Sequence, residues 1–188
     1  LYRRRQRQMC IRDSAYIDHY FNKRNLVKSK NFKALVTAGP TREYIDPVRY
    51  ISNESSGKQG YEIALALDRL GIKTTLIIGP SNLTTQKNIK TKKIVTANEL
   101  LIETKKSLPV DVAVCAAAVS DFKPVVQNKN KLKKNQNNIK SIKIEKNKDA
   151  LEYLCKNNEH RPKLVVGFSA ETENVNKNSI TKMKKKNC

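Results

Sequence analysis

The chain has 188 residues, 38% of them hydrophobic, with Lys+Arg 38 against Asp+Glu 17 and a formal net charge of +21. That length suits one domain with a real core, whereas no apolar run approaches the ~18–20 residues needed to cross a bilayer. The N-terminus has no continuous apolar signal-peptide core, and Cys10, Cys115, Cys155 and Cys188 show neither a CxxC pair nor metal-ligand spacing. The expectation is a soluble, cytoplasmic protein with reduced thiols, no metal site among its own residues and no membrane partner.

The charge is uneven. Residues 1–30 hold nine Lys/Arg and two Asp, a net +7, and the lysine runs at 131–148 and 182–186 supply much of the rest. Such a balance fits nucleic acid, acidic lipid or polyphosphate. Lys and Asn are abundant throughout, however, a bias that genome composition alone produces. Residues 1–14 are Arg-rich where the remainder is Lys-rich; they read as a foreign scar, or otherwise as a nucleic-acid arm, and stand outside the fold reasoning. In residues 15–31 the spacing of Tyr16, Ile17, Tyr20 and Phe21 suits one short helix, a linker or the tail of a preceding domain.

The fold-bearing part begins at 32–188. Ala34-Leu35-Val36-Thr37-Ala38 reads as a buried strand, broken at Gly39-Pro40, and residues 39–57 read as a long polar, irregular loop. Residues 58–71 form an amphipathic helix, with Ile63, Leu67 and Leu70 at helical spacing and Gly71 as its stop. A strand at 73–78 follows, making a strand–helix–strand unit with parallel neighbours. A loop at 81–90, a strand at 92–96 and a helix at 97–107 lead to 111–118, an apolar run read as a central strand buried on both faces. Residues 119–148 are lysine-rich; Ile139, Ile142 and Ile144 alternate as in an exposed strand, and Leu132 opens its hairpin partner. A helix at 149–157 with Asp149 as N-cap, a strand at 163–170 and a helix at 173–186 complete the chain. The alternation predicts an α/β fold, a doubly wound, mostly parallel Rossmann-like sheet with a lysine-rich flap.

In such a sheet ligands sit outside the carboxyl ends of the strands, which points segments 39–57, 79–90, 119–134 and 167–172 at one crevice. Their Lys, Asn and Ser content with one acidic group suits a polyphosphate with a divalent metal. Plainer readings stand beside this one: Asn53 to Gly57 as a turn and cap, Asp121 as a loop cap, and lysines 129–134 as a solvated loop. The P-loop pattern fails, because Ser52 stands where its first glycine belongs and Gln59 replaces its Ser/Thr. The dinucleotide pattern fails because Gly39 is followed by Pro-Thr-Arg. Two alternatives from other classes remain open here: a basic nucleic-acid-binding protein, whose affinity would fall steeply with salt, and a nicotinamide-dependent reductase.

Four words are more specific than their composition: Val36-Thr-Ala-Gly-Pro-Thr-Arg-Glu43, Asp46-Pro-Val-Arg-Tyr-Ile-Ser-Asn-Glu-Ser-Ser-Gly-Lys-Gln-Gly60, Ala116-Ala-Ala-Val-Ser-Asp-Phe-Lys-Pro124 and Val166-Gly-Phe-Ser-Ala-Glu-Thr172. In that order, from about Lys33 onward, they resemble the bacterial phosphopantothenate–cysteine ligase family, the synthetase half of a bifunctional coenzyme A biosynthesis flavoprotein. The resemblance implies joining 4′-phosphopantothenate to L-cysteine through an acyl-cytidylate made from CTP, with Mg²⁺ accompanying CTP. It implies a homodimer, no nucleic-acid partner, and FMN only in a fused decarboxylase domain, of which residues 15–31 would be the tail. It assigns Asn53 to the acyl-cytidylate, with Gly39, Ser55, Ser56 and Gly57 around the intermediate, and Lys131 as the catalytic lysine on a mobile flap. Nucleotide contacts fall on Cys115, Ala116, Ala117, Asp121, Lys131, Lys148, Asp149, Ala150, Leu151, Phe168, Lys182 and Lys186. The chain departs from the family at Lys148, where a proline is usual, and at Asn130, where Glu is usual. The family continues into further strands, so Cys188 reads as a truncation.

Overall fold

The computed structural model describes residues 31–86, 88–133, 141–156 and 159–187. The short helix expected near Tyr16, the scar and the start of the alternating stretch at Ile139 lie outside the described residues.

Five parallel strands form the main sheet: β1 Lys33–Ala38, β4 Lys73–Ile78, β5 Lys90–Lys93, β6 Val112–Cys115 and β9 Leu164–Gly167, ordered β5-β4-β1-β6-β9. The order grows outward from β1 on one side and then reverses to β6 on the other, which places the topological switch point between β1 and β6. Helices α1 Lys58–Arg69, α2 Ala97–Ser107 and α3 Ala150–Lys156 cover the sheet, with α4 Val175–Lys186 beyond. Among the described residues no helix is long and apolar enough to cross a membrane.

Although β1 is apolar almost throughout, its period of two still sorts the core. Ala34, Val36 and Ala38 join Leu76, Ile78, Val112 and Val114 beneath Ile63, Ala64 and Leu67 of α1. Leu35 joins Ile77, Ala113, Leu100, Leu101 and Leu154 on the face covered by α2 and α3. Helices on both faces make the sheet doubly wound. The helix ends are fixed locally. Gly71 turns left-handed (φ +76°) and donates to Asp68, Thr96 Oγ1 caps α2 by accepting from Glu99 N–H at 3.2 Å, and Asp149 Oδ1 caps α3 through Leu151 and Glu152 N–H groups at 2.9 and 3.1 Å.

Four elements differ from their sequence expectation. The supposedly irregular loop 39–57 contains an antiparallel hairpin, β2 Arg42–Asp46 with β3 Arg49–Ser52. Its buried positions on β2 are the charged Glu43 and Asp46, and its aromatic residues are partly exposed, so it carries no clean apolar alternation. The strand expected over 111–118 ends at Cys115; Ala116–Ala118 instead follow the end of β1, where Ala118 bridges Pro40. The edge strand β5 sits at Lys90–Lys93 rather than 92–96, and the flap pairs β8 Ile144–Lys146 with β7 Phe122–Pro124, not with Leu132.

Three glycines let backbones meet at the carboxyl end of β1. A Cβ on Gly79 would lie 1.8 Å from Pro40 O, one on Gly57 would lie 3.2 Å from Gly39 Cα, and one on Gly60 would lie 2.7 Å from Ala38 Cβ. Gly71, by contrast, has nothing within 4 Å of its missing Cβ. Gly79→Ala is therefore expected to cost about 3 kcal/mol, the upper end for overpacking. Gly71→Ala should cost only the ~1–2 kcal/mol of a left-handed side-chain residue. Urea denaturation of the two variants measures the difference.

Candidate functional site

The segment after β6 is zipped onto the end of β1. Ala116 N–H donates to Thr37 O (3.1 Å), Ala117 N–H to Thr37 Oγ1 (3.2 Å) and Ala118 N–H to Gly39 O (2.8 Å). These bonds occupy the N–H groups of Ala116 and Ala117 within the seam. Thr41, fully buried, continues the seam: its Oγ1 accepts from Ser120 N–H at 3.0 Å and its carbonyl accepts from Ser52 Oγ at 2.7 Å.

Over this seam lies the opening loop. Asn53 is exposed, and its Nδ2 donates to Val119 O at 2.8 Å, joining the first and third crevice segments across 66 residues of sequence. Gly57, buried with φ +75°, starts α1. Ser55 Oγ accepts from Gly57 N–H at 3.3 Å, and Ser56 Oγ lies at the limit of bonding to Lys58 N–H, 3.5 Å. Within the chain Ser55 and Ser56 thus make short turn bonds, while the N-cap position of α1 is Gly57, with no side-chain cap.

Asp121 is exposed beside Ser120, and Asn147 straps that corner down by donating from its N–H to Asp121 O (2.8 Å) and from Nδ2 to Ser120 O (2.9 Å). The strap brings exposed Lys148 and the first turn of α3, Asp149 to Leu151, to the same edge. Leu151 rests where Gly167 lacks a side chain, since a Cβ there would lie 2.8 Å from Leu151 Cδ2. Cys115 ends β6, paired with Thr37 on one side and Gly167 on the other. Phe168 packs against the core cluster beneath α1.

Two of the expected nucleotide contacts meet each other: Lys186 Nζ pairs with Asp149 Oδ2. Burial pushes the Asp149 carboxyl up, but the Lys186 ammonium and the Glu152 and Leu151 N–H groups outweigh it and hold the group below its ordinary 3.8. Lys182 and Lys186 line a groove of about 410 Å³ with Glu152, Asn178, Thr181 and Lys185. Lys131 is exposed and makes no hydrogen bond or ion pair of its own to a described residue. Among the described residues no group of three or more His, Cys, Asp or Glu side chains converges on a metal position.

Several residues that position this site have no role in the sequence reading. Glu43, buried on β2, accepts from Ala97 N–H at 2.8 Å and so pins the hairpin to the first turn of α2. Asp46 and Arg49 form the hairpin turn and reach Leu132. Asp46-Pro47 is the kind of dipeptide that opens an Asx turn, and that signal could have found the turn, though not its distant partner.

The strand order, with helices on both faces and the loops after β1 and β6 joined at the switch point, defines a Rossmann-like α/β domain. Residues 29–188 match the family described as DNA/pantothenate metabolism flavoprotein C-terminal domain, and the chain belongs to it. It is 41% identical over 175 residues to the coenzyme A biosynthesis bifunctional protein CoaBC of Haemophilus influenzae, covering 93% of this chain and 42% of that protein. With CoaBC of Escherichia coli the identity is 40% over 161 residues, 84% of this chain and 39% of that one. The chain thus spans about two fifths of the length of these relatives. A crystal structure of the C-terminal domain of CoaBC superposes with a TM-score of 0.72 at 34% identity, covering 84% of this chain and 74% of that one. A Cab2 mutant in complex with phosphopantothenate-cysteine shares the fold, at a TM-score of 0.66 and 18% identity, over 96% of this chain and 76% of that one.

A carboxyl held below its ordinary value stabilises the fold above that value and loses the contribution as pH falls through the lowered one. Asp149→Asn should therefore flatten part of the acid limb of a stability-versus-pH curve below about pH 4, and thermal melts from pH 3 to 6 check it.

Proposed function

We propose that this chain supplies the phosphopantothenate–cysteine ligase activity of coenzyme A biosynthesis, with CTP as the activating nucleotide. The observation that supports it best is the meeting of the four motif segments around the β1/β6 switch point in a chain of this family. A carboxylate does not react with an amine until one of its oxygens becomes a leaving group. In the reading proposed, the phosphopantothenate carboxylate attacks the α-phosphate of CTP and expels pyrophosphate. The amine of cysteine then attacks the acyl carbon, loses a proton and releases CMP.

Lys131 would offset charge building on the transferring phosphate, and Asn53, with Gly39, Ser55, Ser56 and Gly57, would hold the acyl-cytidylate. Cys115, Ala116, Ala117, Asp121, Phe168, the start of α3 from Lys148 to Leu151, Lys182 and Lys186 would face the nucleotide. The Asp149–Lys186 pair supports placing these two groups on one side of the ligand. Mg²⁺ belongs to the substrate, carried on the phosphates of CTP, and FMN belongs to a decarboxylase domain that residues 15–31 would join to residues 32–188. A cytoplasmic setting goes with this reading. The nucleic-acid and reductase alternatives are not favoured, since the relatives at 40–41% identity are coenzyme A biosynthesis proteins.

Incubating the intact protein with CTP, phosphopantothenate, cysteine and Mg²⁺ should release CMP; a folded protein that releases none sinks the reading. Lys131→Gln should lower kcat by about 10²–10³, the scale for one group facing developing charge. We also propose a homodimer. Phe122, Val125, Val126 and Ile144 leave an exposed apolar surface on the flap hairpin that a second copy would cover. Light scattering should give twice the chain mass, and a monomer at micromolar concentration would count against it.

A further inference from the structure

Leu132 is gripped on both sides by the turn of the β2–β3 hairpin. Its N–H donates to Asp46 Oδ2 at 3.2 Å, and its carbonyl accepts from Arg49 Nη2 at 2.9 Å. Asp46 is fully buried, and both of its oxygens are occupied. Oδ1 accepts from the N–H groups of Val48 and Arg49, each at 2.9 Å, while Oδ2 accepts from Arg49 Nε at 3.0 Å, from Arg49 Nη2 and from Leu132. Foremost the Arg49 guanidinium, and with it the three backbone donors, hold the carboxyl well below its ordinary value against the opposing effect of burial.

A turn of this kind needs only the bonds from Asp46 to the N–H groups two and three residues on. The bond to Leu132 crosses 86 residues of sequence and contributes nothing to making the turn. A second hook lies just upstream, where Asn128 donates from its N–H and its Nδ2 to Ile45 O at 2.9 and 3.4 Å. Between the two hooks stand Lys129, Asn130 and Lys131, all exposed. A lysine is a point charge on a flexible stem, so its reach is set by where its backbone is held.

We propose that Asp46 is a positioning residue for Lys131: its buried carboxylate, together with Arg49, latches the Leu132 peptide and fixes where the Lys131 ammonium can act. The inference rests on the ligase reading for its catalytic purpose, and on the observed bonds alone for the latch.

Asp46→Asn keeps the shape and one acceptor for the turn but turns an amide donor toward Leu132 N–H and Arg49. Leu132→Pro removes the same bond from the flap side and leaves Asp46 and Arg49 paired, which guards against a variant that fails to fold. Brief trypsin digestion of the intact protein, with cut sites read by mass spectrometry, reports flap opening, because cleavage follows the open population when reclosing is fast. Both variants should be cut after Lys129 and Lys133 about 10- to 100-fold faster, the factor implied by losing one hydrogen bond to a charged group; the site after Lys131 is read in Asp46→Asn alone, because trypsin does not cleave a Lys–Pro bond. In Asp46→Asn, kcat for CMP release should fall while KM for CTP stays close to wild type. The same substitution should cost nothing further in a Lys131→Gln background, where there is no lysine left to position.

Unchanged cleavage in both variants would overturn the latch. An equal kcat loss with and without Lys131, or no loss at all, would overturn its link to that lysine. A wild-type protein that makes no CMP would remove the ligase reading and the catalytic purpose together, and the cleavage rates would then decide the latch alone.

Discussion

Everything above the sheet depends on how closely backbones approach at the carboxyl end of β1. Gly79 N–H donates to Ala38 O at 2.9 Å, and the space a Cβ would need on Gly79 is already taken by Pro40 O. Gly57 packs against Gly39, where a Cβ would lie 3.2 Å from Gly39 Cα, so the first turn of α1, the end of β1 and the exit from β4 meet without side chains between them. This approach fixes the direction in which residues 39–41 leave the sheet. Their path along Ala118 lets the hydroxyls of Thr37 and Thr41, both buried, receive N–H groups from the segment after β6. The seam between two loops from opposite sides of the switch point follows from glycine packing first and hydrogen bonding second.

Two buried carboxylates then place the hairpin on that seam. A carboxylate out of water is costly unless its oxygens are met by donors. Glu43 meets a backbone N–H of α2, whose N-terminal partial charge also favours an anion, and Asp46 meets a guanidinium and three backbone donors. Each set includes a distant partner: Glu43 and Ala97 are 54 residues apart, and Asp46, besides its local bonds to Val48 and Arg49, meets Leu132 across 86. The hairpin therefore has one well-defined seat, and the lysine-bearing flap inherits its anchor from that seat.

Charge is distributed differently. Lys131, Lys148 and most of α4 are at the surface, and α4 has no buried residue. An ammonium kept in water remains charged and free to move toward a polyphosphate, whereas a buried one would lose its proton or need a fixed partner. Lys186 is the intermediate case, already neutralised by Asp149. The arrangement puts a hydrogen-bonded polar floor beside exposed cations, a division that the proposed polyphosphate ligand would use.

Local sequence determined β1, α1, β4 and α2, the stop at Gly71 and the cap at Asp149, because periodicity, glycine and capping residues act over a few positions. The four motif words determined the family for the same reason: they are contiguous. The hairpin within 39–57 was hidden, since Arg42, Tyr44, Arg49 and Tyr50 offer no alternation of apolar and polar faces for a period of two to register. Only the tertiary structure decided that Asn53 meets Val119, that Lys186 meets Asp149 and that Asp46 holds Leu132. Each of those bonds joins residues 37 to 86 positions apart. Such partners are chosen by which strands lie side by side and how near their backbones come, and no local pattern of residue types encodes that distance.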